Sequence, residues 1–357
     1  MKNCRGCVLC RKSCRFLQTY GTPGTIREQY RTDPEKWQLA AFHCSLCRRC
    51  TAVCPRGFDP CRMFLHFREQ AVAHDRIDFR AYRPLLTYER LGMSRAFTFY
   101  HVPKKHAPVF FPGCALAGTR PGLVIKTFAA LRQQIPDLGI VLDCCIKPSH
   151  DLGRRAFFEK AFQRLANRLK RKKVSEIIVT CPSCHALFKQ YAGPVSVRSA
   201  YELIRPTAGD GRIGMDAEFC IHDACQTRFE SPVQEGARRL LDARGIKAAE
   251  LKASKTNTLC CGEGGGVGFV SPFFARSWTD QRLRGFNNKT AICYCAGCTA
   301  LFSQKTDAVH LLDLVFDSQT LKNGLPETPR PPVTYLNRLA LKCRLAFMLG
   351  LKHTDLF

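Results

Sequence analysis

The sequence predicts an α/β protein in three parts: a helical N-terminal domain followed by two copies of a parallel-sheet domain. Three observations lead there. Two runs of closely spaced cysteines open the chain. A longer cysteine pattern is then stated twice, and between its cysteines short apolar runs alternate with helical ones. Alternation of this kind argues for a parallel sheet covered by helices, and repetition at matched spacing argues for duplication. The expected divisions are residues 1–105, 106–208, 209–324 and a tail over 325–357.

The opening runs are Cys4-x2-Cys7-x2-Cys10-x3-Cys14 and Cys44-x2-Cys47-x2-Cys50-x3-Cys54-Pro55. This is the two-cluster bacterial ferredoxin pattern, in which three thiolates wrap one cubane and the fourth crosses to the other. It groups Cys4, Cys7 and Cys10 with Cys54, and Cys44, Cys47 and Cys50 with Cys14. Arg15 stands where a proline usually follows the first run. Between the runs, Asp33-Pro34 signals a helix start, and Asp59-Pro60 signals another ahead of Met63, Phe64, Phe67 and Ala71 at helical spacing. A mainly helical ferredoxin-like domain is expected rather than a compact four-stranded one.

Residues 80–105 are basic and aromatic, with weak helical periodicity broken by Pro84 and Gly92, and they end in a linker. Tyr82, Tyr88, Phe97, Phe99 and Tyr100 are placed against the next domain, since scattered aromatics more often pack than stack on bases.

The first repeat reads strand 109–112, helix 123–134, strand 139–143, helix 155–172, strand 177–180. Its cysteines are Cys114, the pair Cys144-Cys145, and Cys181-Pro-Ser-Cys184. In the second repeat they are Cys225, Cys260-Cys261 and Cys295-Ala-Gly-Cys298, with strands expected at 218–221, directly before Cys260, and at 290–293. The intervals between groups are 29 and 35 residues in the first copy and 34 and 33 in the second. Each group thus falls at the carboxyl end of a strand, where open α/β sheets place their ligands.

The proline-rich stretch 325–333 breaks any helix crossing it. Beyond it, residues 335–352 form a basic amphipathic candidate, with Leu341, Leu345 and Met348 on one side and Arg338, Lys342 and Arg344 elsewhere. It either docks on its own protein or makes peripheral contact with a membrane or hydrophobic partner.

Five soft thiolates per repeat exceed what one tetrahedral zinc needs, so a cluster of several metal atoms is the more natural occupant. The loop Gly262-Glu-Gly-Gly-Gly-Val-Gly268 lacks both the Rossmann fingerprint and the Walker lysine. Gly262, Gly264 and Gly265 instead invite close backbone approach to inorganic sulfide. His222, Asp223 and His185 adjoin cysteines and are candidates for packing around a cluster or for proton transfer. Cys61, Cys220, Cys293 and Cys343 fall outside the patterns, although Cys293 can compete with Cys295 as a ligand.

Pro-Gly-Cys114, Cys144-Cys145-Ile-Lys-Pro148, His222-Asp-Ala-Cys225 and Cys260-Cys261-Gly262 resemble the cysteine-rich "CCG" domains of heterodisulfide reductase. Related domains occur in the iron–sulfur subunits of glycolate oxidase and anaerobic glycerol-3-phosphate dehydrogenase. The resemblance spans residues 1–302 and matches the fused arrangement of the reductase D subunit. It implies two Rossmann-like CCG domains, one or two noncubane 4Fe-4S clusters beyond the two cubanes, and cleavage of a disulfide at the ten repeat cysteines. Ile146 departs from the family, standing where its name-giving glycine belongs.

The 22 cysteines lie in CxxC runs of a long chain, which favours metal binding in a reducing compartment over a secreted disulfide scaffold. With no apolar leader and no apolar run of about eighteen residues, a cytoplasmic location is expected, peripheral to the membrane at most. The formal charge of +26 is partly offset by metal-bound thiolate. The remainder favours an acidic partner or anionic membrane face. Two functions fit: a disulfide-reducing oxidoreductase, and a relay from a flavin dehydrogenase towards quinone. The expected partner is a flavoprotein or a membrane cytochrome or quinone-linked subunit. A zinc-bearing nucleic-acid binder is the third, least favoured class.

Overall fold

Two proline-started helices shape the N-terminal domain. Asp33 caps Pro34–Ala40 by accepting from the Lys36 N–H, and Asp59 caps Pro60–Ala73 by accepting from the Cys61 N–H. The second buries Phe64 and Phe67 with Trp37 and Ala40, and Ala71 with Phe42, leaving Met63 half-buried. The domain is helical throughout, as expected, in the computed structural model, which describes residues 4–205, 218–316 and 324–351. The expected boundary at 208/209 and Lys352 lie outside the described residues.

The first sheet contains β1 (Phe99–His101), β2 (Val109–Phe111), β3 (Gly139–Leu142), β4 (Glu176–Val179) and β5 (Ser196–Ser199), in the order β1-β3-β2-β4-β5. The second contains β6 (Phe219–His222), β7 (Ala248–Glu250), β8 (Thr290–Cys293) and β9 (Ala308–His310), in the order β7-β6-β8-β9. With β1 set aside, the two orders superimpose strand for strand, and all these pairings are parallel. The duplication read from cysteine spacing is therefore a duplication of topology.

β1 is an addition from the linker, antiparallel on β3. It follows the stretch of weak helical periodicity, which forms a helix over Arg83–Gly92 with Pro84 in its first turn. Of the linker aromatics, Tyr82, Phe97 and Phe99 are buried, and Tyr88 and Tyr100 partly so.

One apolar core joins the repeats, with Phe110, Ile140 and Ile178 of the first sheet in a continuous cluster with Ile221, Ile292 and Val309 of the second. Arg120 and Asp313 form an ion pair across this seam at 2.6 Å, both nearly buried. Tyr201 Oη also donates across it, to the Tyr294 carbonyl, at 2.8 Å.

The C-terminal helix, Val333–Met348, docks on the protein itself. Leu341 and Leu345 are inside, as expected, but Met348 is exposed, while Arg338 and Lys342 are buried. The helix is therefore rotated from the sequence assignment. The Lys342 ammonium donates to the Arg95 carbonyl at 2.7 Å, which offsets its burial.

Candidate metal centres

The N-terminal cysteines fall into two groups. Cys4, Cys7, Cys10 and Cys54 line one cavity of about 190 Å³ together with Cys50. Burial first, then Cys4, Cys7 and Cys54, push the Cys10 thiol up to about 11. Burial first, then Cys47, Cys44 and last Cys10, push the Cys14 thiol well up. The groups differ in access: Cys7 is exposed, and Cys4, Cys10 and Cys54 are half-buried, whereas Cys14, Cys44, Cys47 and Cys50 are buried.

Cys61, which the spacing left out, belongs beside the second group. Its sulfur lies 3.8 Å from that of Cys50 and accepts from the Arg48 N–H at 3.2 Å. It sits in the first turn of a helix, so only the fold brings it there.

In the first repeat Cys114 touches Cys144, while Cys145 touches Cys184, which touches Cys181. In the second, Cys225 touches Cys260, and Cys261 touches Cys298, which touches Cys295. The order of contacts is the same, with Cys261 and Cys298 sulfurs 3.4 Å apart. All but one of these cysteine groups follow a strand end. The exception is Cys260: β7 ends at Glu250, and a loop covers the rest. The strand expected directly before Cys260 is not there, because Asp223 holds that segment as a loop. It accepts from the Lys255 N–H, and its carbonyl accepts from Thr258 Oγ1.

Thiols this close cannot all lose their protons unaided. The contact with Cys114, then burial, pushes the Cys144 thiol up, and contacts with Cys261 and Cys295 followed by burial do the same to Cys298. Conversely, the hydrogen bond from Cys144 holds Cys114 down at about 6. A polycationic core among the sulfurs removes this conflict, so the donor set fits an iron–sulfur cluster.

The two repeat sites face each other. Glu263 is exposed on the space between them, with protein dense around that space. Desolvation by those surroundings, then Cys261, Cys181 and Cys114, pushes its carboxyl up to about 8. Cys295 likewise feels the Cys181 charge. On the other side, the second site meets the N-terminal domain, where Cys47 shares a buried cluster with Cys260 and is held down at about 6, by Cys260 first and then Arg228. Arg228 clamps this junction, its Nε donating to the Cys47 carbonyl at 3.2 Å and its Nη1 to the Thr256 carbonyl at 2.5 Å.

The surrounding candidates have specific partners. Asp223 is fully buried, takes two 3.0 Å bonds from Arg238 and accepts from Tyr294 at 3.1 Å. These bonds tie it into the loop before Cys260. His222 is buried and accepts at Nδ1 from Arg282 at 2.9 Å, which assigns its proton to Nε2. Burial, then Arg282, pushes its pKa well below the ordinary value, so it is neutral. Burial also lowers that of His185.

Two of the loop glycines lie against the N-terminal domain. A Cβ on Gly264 would lie 2.7 Å from the Ser45 carbonyl, and one on Gly265 would lie 2.8 Å from that of Cys44. The loop packs on the N-terminal domain. Cys220 and Cys293 are strand cysteines packed with Phe286 and Phe302, and Cys343 is exposed on the C-terminal helix.

Comparison with known proteins finds two kinds of domain. A 4Fe-4S dicluster domain matches residues 1–58, and a cysteine-rich domain, CCG, matches twice, over 109–189 and 219–303. The chain belongs to the iron–sulfur proteins that join a 4Fe-4S dicluster domain to paired CCG domains, and it is an electron-transfer protein of the oxidoreductase class.

Among particular proteins, it is 23% identical to the B subunit of the fumarate reductase (CoM/CoB) of Methanothermobacter marburgensis, covering 84% of this chain and 66% of that one. It is 25% identical to the EtfAB:quinone oxidoreductase of Syntrophomonas wolfei over 36% of this chain and 19% of that one. A probable membrane-anchored ferredoxin of Chromohalobacter salexigens is 27% identical over 51% of this chain and 31% of its own length. The chain thus spans about two thirds or less of the relatives it matches. Among the described residues, no helix is long and apolar enough to cross a membrane.

Proposed function

We propose that this chain carries electrons from two 4Fe-4S cubanes to clusters in the paired repeats, where a disulfide or related low-molecular-weight sulfur substrate is reduced. Cys4, Cys7, Cys10 and Cys54 hold the outer cubane, and Cys44, Cys47, Cys50 and Cys14 the inner one. Cys225, Cys260, Cys261, Cys295 and Cys298 hold the third site, and Cys114, Cys144, Cys145, Cys181 and Cys184 the fourth. The observation that carries this reading is the buried cluster that Cys14, Cys44, Cys47 and Cys50 share with Cys225 and Cys260, which sets inner-cubane ligands beside repeat ligands.

Clusters supply single electrons at tuned potentials. The polypeptide supplies the order in which they are met, running from exposed Cys7 through the buried inner group to the repeats. Reducing a disulfide takes two electrons and two protons and releases two thiols. Glu263, exposed on the space between the repeat sites, is the group that would hand on a proton from its carboxyl oxygen.

A second reading is a relay subunit between a flavoprotein and quinone, favoured by the name of the quinone oxidoreductase relative. The partner is then a flavoprotein or a membrane cytochrome or quinone-linked subunit. Exposed Leu336, Phe347 and Met348 on the C-terminal helix offer an apolar surface for peripheral membrane contact on the cytoplasmic face. Anaerobic reconstitution and turnover on small disulfides, with and without a candidate flavoprotein, separates the readings. Turnover with a chemical reductant alone supports disulfide reduction, and turnover only with the flavoprotein supports the relay.

A further inference from the structure

The C-terminal helix lies outside both matched domains, yet it inserts an arginine into the first repeat. Arg338 is 3% exposed, with its guanidinium carbon 5.0 Å from the ring centre of Tyr88 and 5.1 Å from that of Phe97. Neighbours on the same helix fix its position. Asn337 donates to the Gly118 carbonyl at 2.8 Å, and Leu341 packs beneath. Gly92 leaves the space it occupies, since a Cβ there would lie 2.9 Å from Arg338 Nη2.

A buried guanidinium needs anions around it. Among the described residues none accepts a hydrogen bond from Arg338 Nη1. Arg338 lines a small cavity with Gly113, Cys114 and Asp143. Asp143 is already engaged by Tyr100, the Cys144 N–H at 2.7 Å and Arg168 at 3.4 Å. Tyr88 links cation and site, its hydroxyl donating to the Cys114 carbonyl at 2.9 Å.

We propose that Arg338 is a positioning residue of the first repeat's site, delivered by the C-terminal helix to place a fixed positive charge beside Cys114 and raise that site's reduction potential. A nearby cation favours the added electron most where water is excluded. The inference rests on the first repeat being a cluster site.

The test is an anaerobic redox titration of the full reconstituted chain followed by electron paramagnetic resonance. It tracks the signal that Cys144→Ser abolishes and the one that Cys260→Ser abolishes. Arg338→Gln is expected to shift the first midpoint to more negative potential and leave the second in place, with Arg338→Lys restoring most of the shift. Gly92→Ala keeps the charge but crowds it, giving a smaller shift of the same sign, and stands in if Arg338→Gln does not fold. An unmoved first midpoint, equal shifts at both sites, or Lys as displaced as Gln overturns the proposal. A wild-type protein with no Cys144-dependent signal overturns the cluster reading itself, and this inference with it.

Discussion

The Ile146 backbone N–H approaches the Cys144 sulfur to 3.4 Å. In the second repeat Gly262 does the same for Cys260 at 3.3 Å. Both residues have positive φ, 60° and 105°. Ile146 therefore keeps the backbone turn of the glycine it replaces, and its side chain points into the core with Cys145 and Phe158. Each position should lose stability on taking its counterpart's residue, for a different reason. Gly262→Ala puts a Cβ 2.5 Å from the Ala275 carbonyl and Thr279 Oγ1. It should cost about 2 kcal/mol or more. Ile146→Gly relieves about 1–2 kcal/mol of backbone strain but loses a buried side chain whose removal costs more. A net loss of roughly 1–3 kcal/mol is expected. Denaturant titration of both variants checks this, and a stabilised Ile146→Gly protein contradicts it.

Arg68 joins all three domains. Fully buried, it donates to the carbonyls of Ala41 and Cys44 in the N-terminal domain, Asp151 in the first repeat at 2.6 Å, and Gly265 in the second at 2.8 Å. Arg68→Met strands these acceptors, and charge-assisted bonds contribute about 1.5–3 kcal/mol each. Limited proteolysis should release the N-terminal domain faster from the variant than from the wild type.

The Arg120–Asp313 pair predicts an asymmetric cost. Asp313→Asn leaves a buried guanidinium without its counter-charge and should destabilise by about 3–5 kcal/mol. Replacing both partners with apolar residues of similar volume should cost much less. Unfolding midpoints of the single and double variants measure the difference.

His310 makes stability fall in mild acid. Burial, then Arg120, holds its pKa well below the ordinary 6.5, and its Nδ1 accepts from the Leu312 N–H at 3.2 Å. As pH drops through 6.5 the unfolded chain takes up a proton that the folded chain refuses. The contribution is present above that pH and declines below it. His310→Asn should flatten the stability profile between about pH 5 and 7, as read by thermal unfolding across that range.

What the sequence made legible follows from what local spacing encodes. Asp33 and Asp59 act through the next two or three residues, and strand-end cysteines repeat at matched intervals, so caps, duplication and cysteine groups were readable. Edge strands were not. β5 is Ser-Val-Arg-Ser, with no apolar run to mark it, and the linker strand β1 takes its order from pairing with β3. Cys61 joins the inner group, and Arg68 the junction, through tertiary contacts with no sequence period. The C-terminal helix turned Arg338 and Lys342 inward because specific partners, an aromatic pair and a carbonyl, await them there, and a hydrophobic pattern does not register such partners.

The central claim is that the eighteen patterned cysteines form separate iron–sulfur sites arranged in sequence. Anaerobic iron and acid-labile sulfide quantitation, joined to electron paramagnetic resonance on the wild type, Cys144→Ser and Cys260→Ser, tests it most directly. The expected result is iron with matching sulfide, and a different signal lost in each variant while the N-terminal cubane signals persist. A folded, colourless protein without iron contradicts it.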